Sequence, residues 1–267
     1  LLCGRLAVGG QDVERAGWEE HRGLQDVSHR EAARLFHRAD LGTITSWLAD
    51  ELESLQVEVH LNSMVDADKV REIGPDEVIV ATGARPRDDG FQVSQPGETI
   101  PGYDLPHVFD AWSLFGVGDP PKIEGPVVIF DDTGSYEALS AADVLRERGV
   151  PVTLVSRFEV MGAAMPFPPV TVEATRERLM EGDFQFIGGH YLRAIRDDEV
   201  EIGVLFTDRS RTVPAKTVIL AGVNEPNREL PEELEGAGIP LHLIGDVRGT
   251  RDMQNAIHGA AELARAI

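Results

Sequence analysis

The chain has 267 residues, of which 42% are hydrophobic and 27% charged, a composition that suits one large α/β domain or two smaller ones. A formal net charge of −21 argues against nucleic acid and anionic membrane surfaces as partners. The single cysteine, Cys3, permits no disulfide within the chain and cannot hold an iron–sulfur cluster, which indicates a reducing, cytoplasmic setting. No apolar run in the sequence approaches the length of a membrane-spanning helix.

The first third of the chain mixes helix and strand signals. Residues 12–40 are polar without a clear period, and apolar residues at helical spacing then predict a helix over 44–55, with Trp47 expected in the core. Alternation over 57–61 predicts a strand, and the run 78–81 predicts another that leads into "ATGARP". Residues 86–107 are rich in Pro and Gly and predict a crossing loop, after which Trp112 is expected to be buried.

A βαβ unit follows at 127–157, with the sequence "VVIFDDTGSYEALSAADVLRERGVPVTLVSR". The apolar run 127–130 is typical of a strand buried on both faces, and residues 137–148 carry one apolar helical face that ends at Gly149. Residues 152–155 predict the next strand. A unit of about 30 residues with this order indicates a parallel sheet.

The turn of this unit lacks the glycine fingerprint of a dinucleotide site. Its three glycine positions fall, in the two possible alignments, on Phe130, Asp132 and Ser135 or on Asp131, Thr133 and Tyr136. Asp131 and Asp132 add negative charge where a pyrophosphate would bind, so NAD(P) binding is doubtful. Two other interpretations stay open: Asp132 or Ser135 caps the helix, or Arg157 meets the 2′-phosphate of NADP.

The remaining elements complete an α/β pattern. The sequence predicts a helix over 172–180, strands over 200–206, 217–221 and 241–244, a polar connection over 224–240, and a last helix over 253–267. This order predicts two Rossmann-like domains, one inserted in the other. Residues 1–107 and 240–267 would form the outer domain, of the FAD- or ADP-binding type, and residues 108–239 the inserted NAD(P)-binding-like domain.

Two strand ends of the outer domain form a candidate nucleotide site. One strand ends in Thr82 and Gly83, and the other ends in Gly245 and Asp246. Glycines allow a ligand to approach the backbone, and an aspartate at a strand end can accept hydrogen bonds from ribose or ribityl hydroxyls. Gln254 begins the last helix, whose N-terminus can face the same ligand. The alternative is that these residues merely end a strand or cap a helix.

Several stretches together resemble a known group of enzymes. They are "VGGQ" (8–11), "WLADELESLQVEVHL" (47–61), "EVIVATGARPR" (77–87), "PGYDLPHVFDAWSLF" (101–115), the βαβ unit, and "HLIGDVRGTRDMQNAIHGAAELARAI" (242–267). The chain resembles the C-terminal half of iron–sulfur flavoenzymes of the old yellow enzyme-like family, related to trimethylamine dehydrogenase and 2,4-dienoyl-CoA reductase. The resemblance adds Gly10 and Gln11 to the expected cofactor-binding residues.

The resemblance implies that some cofactors bind this chain and that others bind parts of the enzyme outside it. The outer domain would hold ADP or FAD, while FMN, a 4Fe-4S cluster and the catalytic residues would lie outside this chain, in a catalytic barrel domain or subunit. The first βαβ unit of the family would likewise come from a longer parent chain or a partner. An electron-transfer protein would be a further partner, in an oligomeric assembly, and the residues of this chain suggest no metal site.

Three functions follow as alternatives. The broken glycine turn favours an amine dehydrogenase or N-demethylase that acts on a small amine. The second is an NAD(P)H-dependent flavin or enoate reductase, and the third is a non-catalytic subunit or interaction domain with a vestigial cofactor site.

Overall fold

The computed structural model describes residues 41–60, 63–115, 121–165 and 170–267. In chain order, the helices are α1 (Leu41–Ser54), α2 (Ala67–Ile73), α3 (Tyr136–Glu147), α4 (Val170–Met180), α5 (Glu229–Glu233) and α6 (Met253–Ala266). The strands are β1 (Val78–Val80), β2 (Ala84–Arg85), β3 (Val108–Asp110), β4 (Val127–Asp131), β5 (Val152–Ser156), β6 (Phe184–Ile187), β7 (His190–Ile195), β8 (Glu199–Val204), β9 (Ser210–Pro214), β10 (Thr217–Ala221), β11 (Glu225–Pro226) and β12 (Leu241–Leu243). Short 3-10 helices cover Trp112–Phe115 and Gly245–Val247.

These elements divide into two compact units. Of the described residues, the first unit contains those from 41 to 85 and from 224 onward, and the second contains those from 86 to 223. The larger sheet of the structure is parallel and helices accompany it, so the predicted α/β class is confirmed. The domain limits expected from the sequence, at residues 107 and 240, stay a prediction.

The first unit is built around one parallel strand pair. β1 and β12 lie side by side, with Val78 opposite Leu241 and Val80 opposite Leu243. The two valines are buried, and they pack with α2 and with the α5 region in a small core. Helix α2 has defined ends, because the Asp66 side chain accepts from the backbone N–H of Lys69 and a left-handed glycine follows the last turn.

The second unit has a five-stranded sheet in the order β3-β10-β4-β5-β6, and all its strands are parallel. One face packs on α3 and α4, and the other packs on the antiparallel meander β7-β8-β9. All five residues of β4 are buried as a result. A parallel sheet covered on both faces accounts for the uninterrupted apolar run that marked this strand in the sequence.

The structure corrects three expectations. Residues 57–60 form no strand and pair with no other part of the described chain. Trp47 is 59% exposed rather than a core anchor, whereas Trp112 is buried as expected. The strand expected over 200–206 ends at Val204, because Phe206 adopts a φ of 62° in the turn to β9. A helical or alternating pattern shows which residues share an apolar face of a helix or strand. It does not show that another part of the protein packs against that face.

Within the described ranges, no helix combines the length and hydrophobicity needed to span a bilayer. The same residues contain no group of three or more His, Cys, Asp or Glu side chains placed to hold a metal ion.

Candidate nucleotide-binding site

The parallel pairing of β1 and β12 brings the two predicted turns to one edge of the first unit. The last hydrogen bond of the pair runs from the N–H of Ile244 to the carbonyl of Val80, at 3.0 Å. Both strands therefore end at the same level, and residues 82–83 and 245–246 follow directly. In α/β folds, ligands bind in the crevice beyond such carboxyl ends.

The first turn is held by a residue that sequence reasoning missed. Thr82 is buried, and its hydroxyl donates to the carbonyl of Asn227 at 2.6 Å. The N–H of Asn227 donates in return to the carbonyl of Gly83 at 2.9 Å. Gly83 has a φ of 70°, which glycine adopts without the steric cost that a Cβ would bring. The repeated asparagines in "VNEPN" (223–227) were the available signal, but the segment was interpreted only as a polar connection.

The second turn also depends on a glycine. Gly245 has a φ of 66° and begins the one-turn helix that carries Asp246. Asp246 is half-buried, and one of its oxygens accepts from the N–H of Arg251 at 3.2 Å. This bond holds the 246–251 loop in place and keeps the carboxylate near the strand ends.

Helix α6 begins shortly after this loop. Its N-cap is Asp252, whose carboxylate accepts from the backbone N–H and the side-chain amide of Asn255, both at 2.8 Å. The capping role that the sequence left open for Asp246 therefore belongs to Asp252. Gln254 lies exposed in the first turn of α6.

The structure thus assembles four of the predicted residues, Thr82, Gly83, Gly245 and Asp246, at adjacent strand ends. Gly10 and Gln11 lie outside the described residues. A ligand-binding role for all of these positions, Gln254 included, stays a prediction.

The aspartate turn of the second unit has a different organisation. Asp131 ends β4 and is 2% exposed. One oxygen of its carboxylate accepts from the N–H of Gly134 at 2.7 Å and from the N–H of Thr133 at 3.2 Å. The other oxygen accepts from the hydroxyl of Ser156 at 2.9 Å. Burial raises the pKa of this carboxyl, while the hydrogen bonds from Gly134, Ser156 and Thr133 oppose the rise.

Asp132 points away from the helix. It is fully buried, and its Oδ2 accepts from the N–H of Val93 at 2.6 Å. Its Oδ1 lies 3.3 Å from Nε of Arg157 but receives no hydrogen bond, because that N–H donates to the Asp132 carbonyl at 2.6 Å. Burial raises the pKa of Asp132 to about 6, against the opposing effects of the Val93 hydrogen bond and the Arg157 charge, with the Asp131 charge adding to the rise.

The prediction that the side chain of Asp132 or Ser135 caps α3 is wrong. Ser135 occupies the N-cap position of α3, but its side chain makes no capping hydrogen bond. The Asp132 carboxylate binds Val93. The N–H groups of the turn end on Asp131, which the sequence had marked only as a repulsive charge.

Comparison with known proteins supports the resemblance found in the sequence. No family model matches the chain. It is 28% identical over 211 residues to the bilirubin reductase of Mediterraneibacter gnavus, an alignment that covers 78% of this chain and 30% of the relative. It is 27% identical to the N,N-dimethylglycine/sarcosine dehydrogenase of Chromohalobacter salexigens, with 88% of this chain and 38% of the relative covered.

A solved structure gives the same result. The 6-hydroxypseudooxynicotine amine oxidase of Pseudomonas geniculata superposes with a TM-score of 0.80 at 25% identity, and the match covers 88% of this chain and 35% of that one. The chain spans about a third of the length of the relatives that it matches. These relatives are flavin-dependent oxidoreductases and include amine-acting enzymes, so the resemblance predicted from the sequence is confirmed.

Proposed function

We propose that this chain, whose relatives are flavin-dependent oxidoreductases, is the nucleotide-binding portion of such an enzyme. The observation that carries the proposal is the shared edge at which β1 and β12 end, where Gly83, Gly245 and Asp246 lie on adjacent turns. This arrangement suits the adenosine part of ADP or FAD, because two left-handed glycines allow close approach and a carboxylate accepts from ribose hydroxyls.

In this proposal the first unit and the second correspond to two Rossmann-like domains, one inserted in the other, and only the first holds a nucleotide. The catalytic residues of this proposal lie outside this chain, and the described residues contain no group of three or more His, Cys, Asp or Glu placed to hold a metal ion. An FMN and a 4Fe-4S cluster would supply the redox chemistry from a catalytic barrel domain or subunit. The role of this chain is to bind a nucleotide and to support that barrel within an oligomer.

For the substrate, we propose a small amine that is oxidatively deaminated or demethylated. The glycine-free turn of the second unit supports this choice, because a reductase that draws electrons from NAD(P)H needs a phosphate-binding turn. Relatives that act on N-methylated glycine and on an amine are consistent with it. Electrons would leave through a separate electron-transfer protein.

A second candidate is an NAD(P)H-dependent flavin reductase. It is favoured by one observation, the similarity to a bilirubin reductase over 78% of the chain. The two candidates differ in the direction of electron flow. In the first, the organic substrate reduces the flavin, and in the second NAD(P)H reduces it.

Anaerobic reduction of the intact, full-length protein separates the candidates. We expect N-methylated amines such as sarcosine and dimethylglycine to bleach the flavin absorbance, and NADH and NADPH to leave it unchanged. Bleaching by NADPH alone would establish the reductase. If neither reductant acts and no ADP or FAD is released on denaturation, the chain is a non-catalytic module with a vestigial site.

A further inference from the structure

In the turn after β4, a carboxylate of the chain itself accepts hydrogen bonds from backbone N–H groups of the turn. In a dinucleotide-binding unit, the N–H groups at the start of the helix that follows the first strand bind the pyrophosphate. Here the N–H groups of Thr133 and Gly134, in the turn that leads into α3, both donate to the carboxylate of Asp131. We propose that Asp131 is a built-in anion that takes the place of a nucleotide phosphate and closes this unit to NADH and NADPH.

The turn is also covered from outside. Gly134 has a φ of 68°, and a Cβ built there would lie 2.8 Å from a ring carbon of Phe158. The N–H of Ala164 donates to the carbonyl of Gly134 at 3.0 Å. The segment after β5 therefore lies directly over the turn, at the place where glycine would otherwise allow a phosphate to approach the backbone.

Arg157, a cation beside the turn, is engaged as well. Arg157 donates from Nε to the carbonyl of Asp132 at 2.6 Å, and its guanidinium stacks on the Phe158 ring at 4.1 Å from the centroid. Binding a 2′-phosphate would require Arg157 to leave both contacts. Groups of the chain itself thus bind the N–H groups of the turn, cover the glycine that a phosphate would approach, and engage Arg157.

The consequence concerns the reductant. An inserted unit with this turn keeps the parallel sheet and the helix of a nicotinamide-binding domain but cannot accept the cofactor. Its contribution is structural, and electrons cannot enter the protein from NAD(P)H at this point. The inference concerns Asp131 and its hydrogen bonds, so it stands or falls separately from the identity of the amine substrate.

Hydrogen exchange in the intact protein tests the internal anion. We expect the amides of Thr133 and Gly134 to be protected in the wild-type protein. In Asp131→Gly their exchange should be about tenfold faster or more, since the acceptor is gone and the turn before α3 opens locally. Asp131→Asn keeps an acceptor oxygen and should retain most of the protection. Ser156→Ala removes a hydroxyl that donates to Asp131 and accepts from the N–H of Phe158, and it should leave both amides protected because their acceptor stays.

Formate provides the decisive comparison, because it is a free carboxylate without a side chain. Formate should restore protection of the 131–139 peptide in Asp131→Gly, and chloride at the same ionic strength should not. It should also raise the melting temperature of this variant by about 2–4 °C while leaving the wild type unchanged. If Asp131→Gly does not fold, Asp131→Asn and the nucleotide titration below still test the proposal.

Titration calorimetry supplies the second measurement. We expect neither NADH nor NADPH to bind the wild-type protein at micromolar concentrations, and neither to alter exchange in the 131–139 peptide. Micromolar binding that protects this peptide would overturn the proposal. Loss of amide protection in Asp131→Gly with no recovery in formate would also overturn it, because the turn would then not be an anion site.

Discussion

At the scale of single residues, Asp132 shows how burial and pairing compete. Its carboxylate has a hydrogen bond from Val93 and the charge of Arg157 beside it, yet burial raises its pKa from the ordinary 3.8 to about 6. Because the folded-state pKa lies above the unfolded-state value, the folded protein binds this proton more tightly. The stability that comes from the neutral carboxyl is therefore fully present below about pH 4 and is lost as the pH rises through about 6.

We predict that Asp132→Asn removes this loss. The displacement from 3.8 to about 6 corresponds to about 3 kcal/mol as an upper estimate. Between pH 4 and pH 7, the free energy of unfolding of the wild type should fall relative to the variant by up to that amount. Urea unfolding of both proteins at the two pH values measures the difference. Parallel pH dependence in the two proteins would show that Asp132 is ionised at its usual pKa.

Asp246 is the residue on which the proposed nucleotide site most depends. Its carboxylate is half-buried beside the left-handed Gly245 and is held by the N–H of Arg251. Replacement by alanine should weaken ADP binding by about 1.5–3 kcal/mol, the range for hydrogen bonds to charged groups. Asp246→Asn, which keeps one acceptor oxygen, should lose less. Calorimetry with ADP decides, and equal affinity in wild type and Asp246→Ala would remove Asp246 from the site.

At the scale of elements, α3 and α4 are joined by one partly buried ion pair. Arg178 donates from Nη2 and Nε to the same oxygen of Asp143, at 2.6 and 3.1 Å, and Asp143 is 8% exposed. Arg146 lies 3.5 Å from the other oxygen. The two helices are consecutive along the chain of the second unit, so this carboxylate fixes their relative position on the sheet.

We predict that Asp143→Ala destabilises the protein by about 1.5–3 kcal/mol, because it leaves Arg178 without its carboxylate partner and removes the nearer of two carboxylates beside Arg146. Glu147→Ala on the same helix is the matched control. Glu147 contacts Arg146 at 3.9 Å on a more exposed surface, so its loss should change the free energy of unfolding by less than about 1 kcal/mol. Chemical unfolding of both variants tests the contrast, and equal effects would show that burial of the pair is unimportant.

The elements also show what the sequence could and could not predict. The strands 127–130 and 152–155 and the helices around 44–55, 137–148 and 253–267 were predicted within a few residues, because each carries a strong local pattern. The strands β6, β7 and β9 were missed, since each contains polar residues and none has the uninterrupted apolar run that marks β4. Strand pairing depends on neighbours far away in sequence, and a local pattern does not contain them.

The same limit applies to the two turns. Glycine and aspartate at a strand end predicted the Gly245–Asp246 turn, because backbone φ and carboxylate chemistry are local properties. The direction of a side chain is not local. Asp131 and Asp132 are neighbours of identical type, yet one accepts from the N–H of Gly134 in the following turn and the other from the N–H of Val93. Only the folded chain, which places residue 93 beside residue 132, separates their roles.

At the scale of the whole molecule, the two units differ in how much apolar surface they bury. The second unit has two large clusters of buried residues on the two faces of its sheet, and several side chains in β4, β5 and β10 have no exposed surface. The first unit has one small cluster around β1 and α2. Helix α1 and the residues just after it present exposed apolar side chains, including Trp47, Leu55 and Met64. Local opening should therefore be easier in the first unit.

We predict from this difference that nucleotide binding changes hydrogen exchange in the first unit alone. Without ligand, amides of β4, β5 and β10 should exchange more slowly than those of β1 and β12, because they lie in the more deeply buried sheet. A ligand that binds only the folded state lowers the population of locally open forms. Saturating ADP should therefore slow exchange in peptides covering 78–85 and 241–256, and exchange in 127–157 should not change. Measuring the intact protein by mass spectrometry, with AMP and NADPH as comparison ligands, tests both units at once. Protection by ADP confined to 127–157 would contradict both the nucleotide site at the ends of β1 and β12 and the closed aspartate turn. Protection of neither region would contradict the nucleotide site alone.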